Sequence, residues 1–330
     1  MPQDPNICGF LNVLKPPGMT SHDVVQVVRR MLRTKAVGHT GTLDPAAAGV
    51  LVLAIGPATR LAEFVAAGEK GYRAEITLGV TTDSLDVEGQ ITARQSAAGV
   101  TEAAVREALA ALTGTIQMRP PAHSAISVGG RRLYELARAG EAVEAPLRQV
   151  TVHELRLLEF TGARARAGEA ATVLVDVACS KGTYIRSLAG MLGERLGCGA
   201  HLSMLLRTRV GDHTLAQAVT FEELAVDPAA HLIAIATALP HVPQVRVSAA
   251  TAQALRQGRT MPAPGEPPVG RVLVLDETGE VICLAEVAQE RELILQPRKV
   301  FPPSFEAGAG PVTQVTVCKT HTVGGLSRAR

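Results

Sequence analysis

The chain has 330 residues, 46% hydrophobic and 19% charged, with a formal net charge of +2. This length can bury a large core and favours two domains over one, and the composition excludes a disordered chain. The charge alone establishes no nucleic-acid partner. Six lysines against twenty-seven arginines would suit phosphate, but a biased genomic base composition would enrich arginine equally.

In chain order, Ser21 is placed to cap a helix running to about Arg33, with Val24, Val27, Val28 and Met31 on one face. Then comes Gly38-His39-Thr40-Gly41-Thr42-Leu43-Asp44-Pro45 and the apolar run from Val50 to Ile55. Pro45 biases Asp44 away from helical geometry, so its carboxylate is expected on an extended loop entering a buried strand. The alternative, Asp44 capping a helix that starts at Pro45, stays open on spacing alone. A short helix is expected near Leu61–Ala66. Tyr72, Ala74, Ile76 and Leu78 alternate with polar neighbours, the pattern of a half-buried strand.

Thr101 begins a helix with Val105, Leu109 and Leu112 on one stripe, and residues 119–150 read as an irregular excursion from the main sheet. Val173, Val175 and Val177 predict a strand, followed by a helix carrying Ile185, Leu188 and Leu192. Pro240 and Pro243 mark a boundary. Beyond it, Arg271–Asp276 and Glu280–Val287 flank Glu277-Thr278-Gly279 as a hairpin. With Leu293–Gln296 this predicts a small β-rich module over 243–301. Residues 302–330 lose periodicity and read as a flexible tail.

Five scattered cysteines without a Cys-x-x-Cys pair argue against a disulfide framework or a cysteine zinc site and fit a reducing cytoplasm. No basic-then-apolar leader opens the chain, and its apolar runs are too short to span a bilayer. A soluble, cytoplasmic protein is expected. There is no GxGxxG, P-loop or HExxH, and the nine histidines show no ligand spacing.

Four stretches share one further property. They are Lys15-Pro16-Pro17-Gly18-Met19-Thr20-Ser21, the segment around Asp44, Tyr72-Arg73-Ala74-Glu75 with Leu78-Gly79, and Cys179-Ser180-Lys181-Gly182-Thr183-Tyr184-Ile185-Arg186. In this order they resemble the tRNA pseudouridine synthases of the TruB type, over about residues 8 to 300. The resemblance implies an α/β (α+β) fold with a mixed, largely antiparallel sheet and a cleft across it. It implies a catalytic domain over 1–242, with 119–150 as an RNA-gripping insertion, and a PUA-like RNA-binding module over 243–301. The implied activity is isomerisation of the T-loop uridine of tRNA, conventionally position 55, without cofactor, metal, membrane or obligatory protein partner.

Such a reaction breaks the bond from uracil N1 to ribose and rejoins the base through C5. It needs an ionised carboxylate, a proton acceptor and a pocket for a base taken out of its stack. By resemblance Asp44 supplies the carboxylate, and Arg186 beside it would favour the ionised form. Tyr72 would pack on the target base, Tyr184 and Leu205 would wall its pocket, and His39 would fill the gap the base leaves. Lys15 would contact phosphate. Each residue also has a plainer reading: Arg186 a solvated helix-start arginine, Tyr72 and Leu205 core, His39 a loop histidine, Lys15 a turn lysine.

Two departures from the family pattern concern RNA docking. His123 stands in Pro120-Pro121-Ala122-His123-Ser124-Ala125 where an aromatic residue is common, and Leu206 precedes Arg207 where paired arginines are common. A rival reading is an RNA-binding or RNA-folding protein without catalysis, which would have little use for a carboxylate facing phosphate. A hydrolase using Asp44 on a sugar would need a second catalytic carboxylate, which the sequence does not offer.

Overall fold

The computed structural model describes residues 7–121, 127–128, 131–132, 145–162 and 170–303. Its first half runs β1 (Gly9–Lys15), α1 (Ser21–Met31), β2 (Val37–His39), β3 (Ala48–Ile55), α2 (Ala62–Ala67), β4 (Lys70–Leu78), β5 (Val80–Thr82), β6 (Ile91–Arg94), α3 (Glu102–Ala110) and β7 (Gly114–Met118). The short pair β8 (Ser127–Val128) and β9 (Arg131–Arg132) precedes β10 (Arg148–Phe160), β11 (Thr172–Cys179), α4 (Ile185–Leu196), β12 (Ala200–Val210) and β13 (His213–Thr214). Then come α5 (Phe221–Val226), α6 (Ile235–Ala238), β14 (Gln244–Arg246), α7 (Ala249–Arg256), β15 (Met261–Pro262), β16 (Gly270–Leu275), β17 (Val281–Gln289) and β18 (Leu293–Val300).

The main sheet has the order β1-β3-β12-β4-β11-β10-β7, with β2 on β3 and β13 on β12. Its pairings are antiparallel except β3 with β12. It is the mixed, largely antiparallel sheet that the resemblance implied. A strand covered on both faces must be apolar throughout, and β3 is buried at every residue from Gly49 to Ile55. On one side α1 lays Val24, Val25 and Val28 against Leu11, Val13, Leu51, Leu53 and Ile55. Strand β4 is half covered instead. Tyr72, Ala74, Ile76 and Leu78 face a core built with Val105 and Leu109 of α3 and Leu188 and Leu192 of α4, while Arg73 is exposed.

Local differences from expectation have local causes. The cap of α1 is Thr20, not Ser21: Thr20 Oγ1 accepts from the Asp23 amide and the Asp23 carboxylate accepts from the Thr20 amide. That reciprocal pair satisfies two end groups at once and frees Ser21 to point inward, where it is buried. The short helix expected near Leu61–Ala66 is α2, entered through a 3₁₀ turn over Gly56–Leu61.

The five strands past Pro243 form a second sheet, β14-β16-β17-β18-β15. Its β16–β17 turn is closed by Asp276 Oδ1, which accepts from the amides of Thr278 and Glu280, both at 3.0 Å. An apolar cluster crosses the proline-marked boundary, packing Leu273, Leu275, Leu284 and Phe301 with Phe10, Val50, Val52 and Leu61. Each such side chain contributes about 1.5–3 kcal/mol by burial. At its rim Lys299 Nζ meets Glu63 at 2.7 Å, and Arg60 lies 5.6 Å from the centroid of the Phe301 ring. Among the described residues no helix is long and apolar enough to cross a membrane. Most of the expected insertion, including His123, and residues 304–330 of the expected tail lie outside the described residues.

Candidate active site

Asp44 lies on a loop between β2 and β3, not in a helix. Three side chains fasten that loop by its main chain. Ser21 Oγ donates to the Leu43 carbonyl at 3.0 Å and accepts from the Leu43 amide at 2.8 Å. Arg207 donates through Nη1 to the Thr42 carbonyl (3.1 Å), through Nη2 to that of Gly41 (3.2 Å) and through Nε to that of Val50 (2.7 Å). Lys15 Nζ donates to the carbonyls of Pro16 (3.0 Å), Pro45 (3.1 Å) and Ala47 (2.6 Å). Gly49 makes the fit possible: at φ +112 it abuts Arg207, and a Cβ there would lie 2.2 Å from the Arg207 carbonyl oxygen.

The structure therefore corrects the phosphate contact expected of Lys15. Its side chain is fully buried, and its protons go to the carbonyls of Pro45 and Ala47 in the Asp44 loop and of its own neighbour Pro16, because the end of β1 runs beneath the loop. Burial lowers its pKa to about 8, although the charge of Asp44 acts in the opposite direction.

Arg186 enters from the first turn of α4. Its Nε is 3.0 Å from Asp44 Oδ2 and its Nη2 is 3.4 Å from Oδ1. The guanidinium is buried, with its side chain 7% exposed, whereas Asp44 is 35% exposed, so the pair presents its carboxylate side to the opening. From behind, Arg186 Nη1 reaches the Ser84 carbonyl at 3.2 Å and Asp86 Oδ2 at 3.3 Å. A guanidinium shared between two carboxylates offsets part of each one's charge in a partly dry site.

Asp44, Tyr72, Tyr184, Arg186 and Leu205 line one cavity of about 330 Å³, together with Lys70, Lys181 and Arg207. That is the small end of the range for ligand pockets, suited to one base rather than a dinucleotide. Burial pushes the Tyr72 phenol up to about 12, against a smaller opposing effect of Arg207, so Tyr72 stays protonated at neutral pH. Burial also lowers Lys70 to about 8. His39 and Lys15 do not line this cavity. His39 sits at the end of β2 with its Nδ1 buried and unpartnered, and burial, then Arg207 and His22, lower its pKa.

The sequence reading missed Asp86 and Arg207 as parts of the site. Arg207 carried a signal: two residues after Leu205 on one strand, it shares that residue's inward face. Asp86 carried none, since a carboxylate in a polar turn reads as solvated.

An aspartate–arginine pair thus stands at the mouth of a base-sized cavity set in this mixed sheet. Residues 29–185 match the family model described as TruB family pseudouridylate synthase (N terminal domain), and residues 186–232 match the tRNA pseudouridylate synthase B C-terminal domain. A tRNA pseudouridine synthase B of Symbiobacterium thermophilum is 52% identical over 250 residues, covering 76% of this chain and 82% of that one. One of Moorella thermoacetica is 45% identical over 313 residues, covering 89% and 99%. A solved structure described as an H/ACA RNP bound to a substrate RNA containing 2′-deoxyuridine contains a chain that is similar over 90% of this one and 86% of its own length, with TM-score 0.67 and 25% identity. The chain belongs to the TruB family of pseudouridine synthases.

Proposed function

We propose that this enzyme acts on tRNA, isomerising the T-loop uridine at position 55 after the base has left its stack. The observation that carries this reading is the Asp44–Arg186 pair at 3.0 Å, facing a cavity lined by Tyr72, Tyr184 and Leu205. Arg186 fixes the Asp44 carboxylate at two points, so it meets the glycosidic bond in one orientation. Tyr72 packs on the uracil as a neutral phenol, and Tyr184 and Leu205 close the remaining walls. His39, largely uncharged at neutral pH because burial and Arg207 depress its pKa, fills the gap left in the RNA stack. The arginine-bearing 119–150 segment grips the T arm, and the β-rich 243–301 module contacts the acceptor side as a PUA-like domain.

The test is nucleoside analysis of T-arm RNA after incubation with the protein alone. Pseudouridine is expected; free uracil would mean a hydrolase, and unchanged uridine an RNA-binding or RNA-folding protein. Asp44→Asn removes charge but little volume, so it should abolish conversion while RNA affinity stays nearly unchanged. Substantial single-turnover activity in that variant would overturn the role of Asp44.

A further inference from the structure

The turn that reaches Arg186 from behind contains the most unusual backbone near the site. Leu85 has φ +62, a left-handed conformation that bulky L residues seldom adopt. Bonds on both sides hold it there. The Leu85 amide donates to the Thr82 carbonyl at 3.2 Å, and its carbonyl accepts from the Leu202 amide of β12 at 3.0 Å. Next to it, Thr82 Oγ1 donates to the Asp86 carbonyl at 2.8 Å, and Ser84 Oγ donates to Asp86 Oδ1.

The Leu85 side chain lies against Gly190 of α4, where an added Cβ would come within 3.3 and 3.4 Å of its two methyl carbons. Gly190 is four residues beyond Arg186, one helical turn away on the same face. One helix thus carries both the arginine and the notch that receives the leucine. The reversal at Leu85 brings the Ser84 carbonyl and the Asp86 carboxylate onto a single nitrogen, Arg186 Nη1, while Nε and Nη2 face Asp44.

We propose that Leu85, left-handed and seated in the notch at Gly190, is a positioning residue for the reaction. It holds Ser84 and Asp86 on Nη1 of Arg186 and so sets the angle at which that guanidinium presents Nε and Nη2 to Asp44. This rests on the roles proposed above for Asp44 and Arg186.

The experiment measures single-turnover rate on T-arm RNA, RNA affinity and melting temperature for Gly190→Ala and Leu85→Gly. Alanine is the better helix former, so Gly190→Ala should melt no lower than the parent and bind RNA as well. Its added methyl displaces Leu85, and its rate should fall several-fold. Leu85→Gly keeps the left-handed turn accessible but removes its anchor, and its rate should fall about tenfold or more. Placed on Asp86→Asn, Leu85→Gly should cost far less, because both changes act on one guanidinium.

Parent rates in both variants, losses confined to RNA affinity, or full additivity with Asp86→Asn would each overturn the proposal. Should Leu85→Gly fail to fold, Gly190→Ala decides alone: a parent rate at a parent melting temperature overturns it. Asp44→Asn run alongside separates the two levels. An active Asp44→Asn overturns the reading of the site, whereas an inactive one beside unaffected Leu85→Gly and Gly190→Ala overturns only the role of Leu85.

Discussion

The loop that carries Asp44 and the module beyond Pro243 are attached to the same sheet by opposite kinds of chemistry. The loop is held by directional bonds from Lys15, Ser21 and Arg207 to its main chain. The module is held by area, through Leu273, Leu275, Leu284 and Phe301 in a shared cluster, with ion pairs only at the rim. Bonds to specific carbonyls fix where a carboxylate stands but add little net stability. Apolar contact adds stability but fixes few angles. The division predicts that changes at the loop should cost rate, and changes at the module interface should cost folding.

Truncation after Val242 is the harshest way to break that division. The proline boundary alone would predict a separable module, but the shared cluster predicts that the remainder loses at least about 5 kcal/mol from four exposed partners. Activity on an isolated T-arm hairpin and on whole tRNA should then fall together, alongside a lowered unfolding midpoint. A stable, hairpin-active truncation would show that the cluster is dispensable.

Next in size, Arg186→Ala leaves Asp44 and Asp86 without the cation between them. Its single-turnover rate should drop by at least about a hundredfold with RNA affinity kept, and added salt should not reproduce the loss in the parent. A defect appearing only in affinity would make Arg186 an RNA contact.

Lys15→Met tests the loop through pH. Below about pH 8 Lys15 carries its proton in both folded and unfolded chains, and the cost of burying the charge is present in full. Between about 8 and the ordinary 10.5 only the unfolded chain holds that proton, so stability climbs with pH, by up to about 1.4 kcal/mol per unit. Urea unfolding from about pH 7.5 to 9 should show the parent gaining on Lys15→Met. The buried thiols of Cys179 and Cys283, raised from an ordinary 9.0, act in the opposite direction toward the top of this window. They do so equally in parent and variant, so the difference between the two curves reports Lys15. Parallel pH curves would mean that the amine is not desolvated.

The smallest effect belongs to the rim. Lys299→Ala removes a contact whose partners are 28% and 59% exposed and should cost roughly 0.2–1 kcal/mol with the rate unchanged. A rate defect there would show that the module communicates with the cleft.

Much of this was legible in the chain, for identifiable reasons. Alternation at Tyr72 to Leu78 and the apolar stripe of α3 reflect which faces are wet, and that pattern is periodic. The meeting of Asp44 with Arg186, 142 positions away, was legible only through motif resemblance, since no local rule links them. Lys15 misled because lysines are almost always at the surface, and nothing in Lys-Pro-Pro-Gly reveals that the carbonyls of Pro45 and Ala47, 30 and 32 residues on, will receive its protons. Asp86 and the left-handed Leu85 were silent because their meaning depends on a helix a hundred residues later. The cap shifted from Ser21 to Thr20 because both can cap, and only tertiary structure gives Ser21 a second use.

The bonding of Ser21 to both sides of Leu43 has a further consequence for how the molecule breathes. The Leu43 amide belongs to no strand or helix, yet its bond to Ser21 Oγ is buried, and the Thr40 amide is likewise bonded to the Val52 carbonyl at 3.0 Å. In deuterium these amides should exchange as slowly as those of the neighbouring strands, far more slowly than the exposed turn at Glu277. A segment drawn as coil thus behaves as part of the slow-exchanging core, and the scaffold that carries Asp44 stays closed when the protein's margins open.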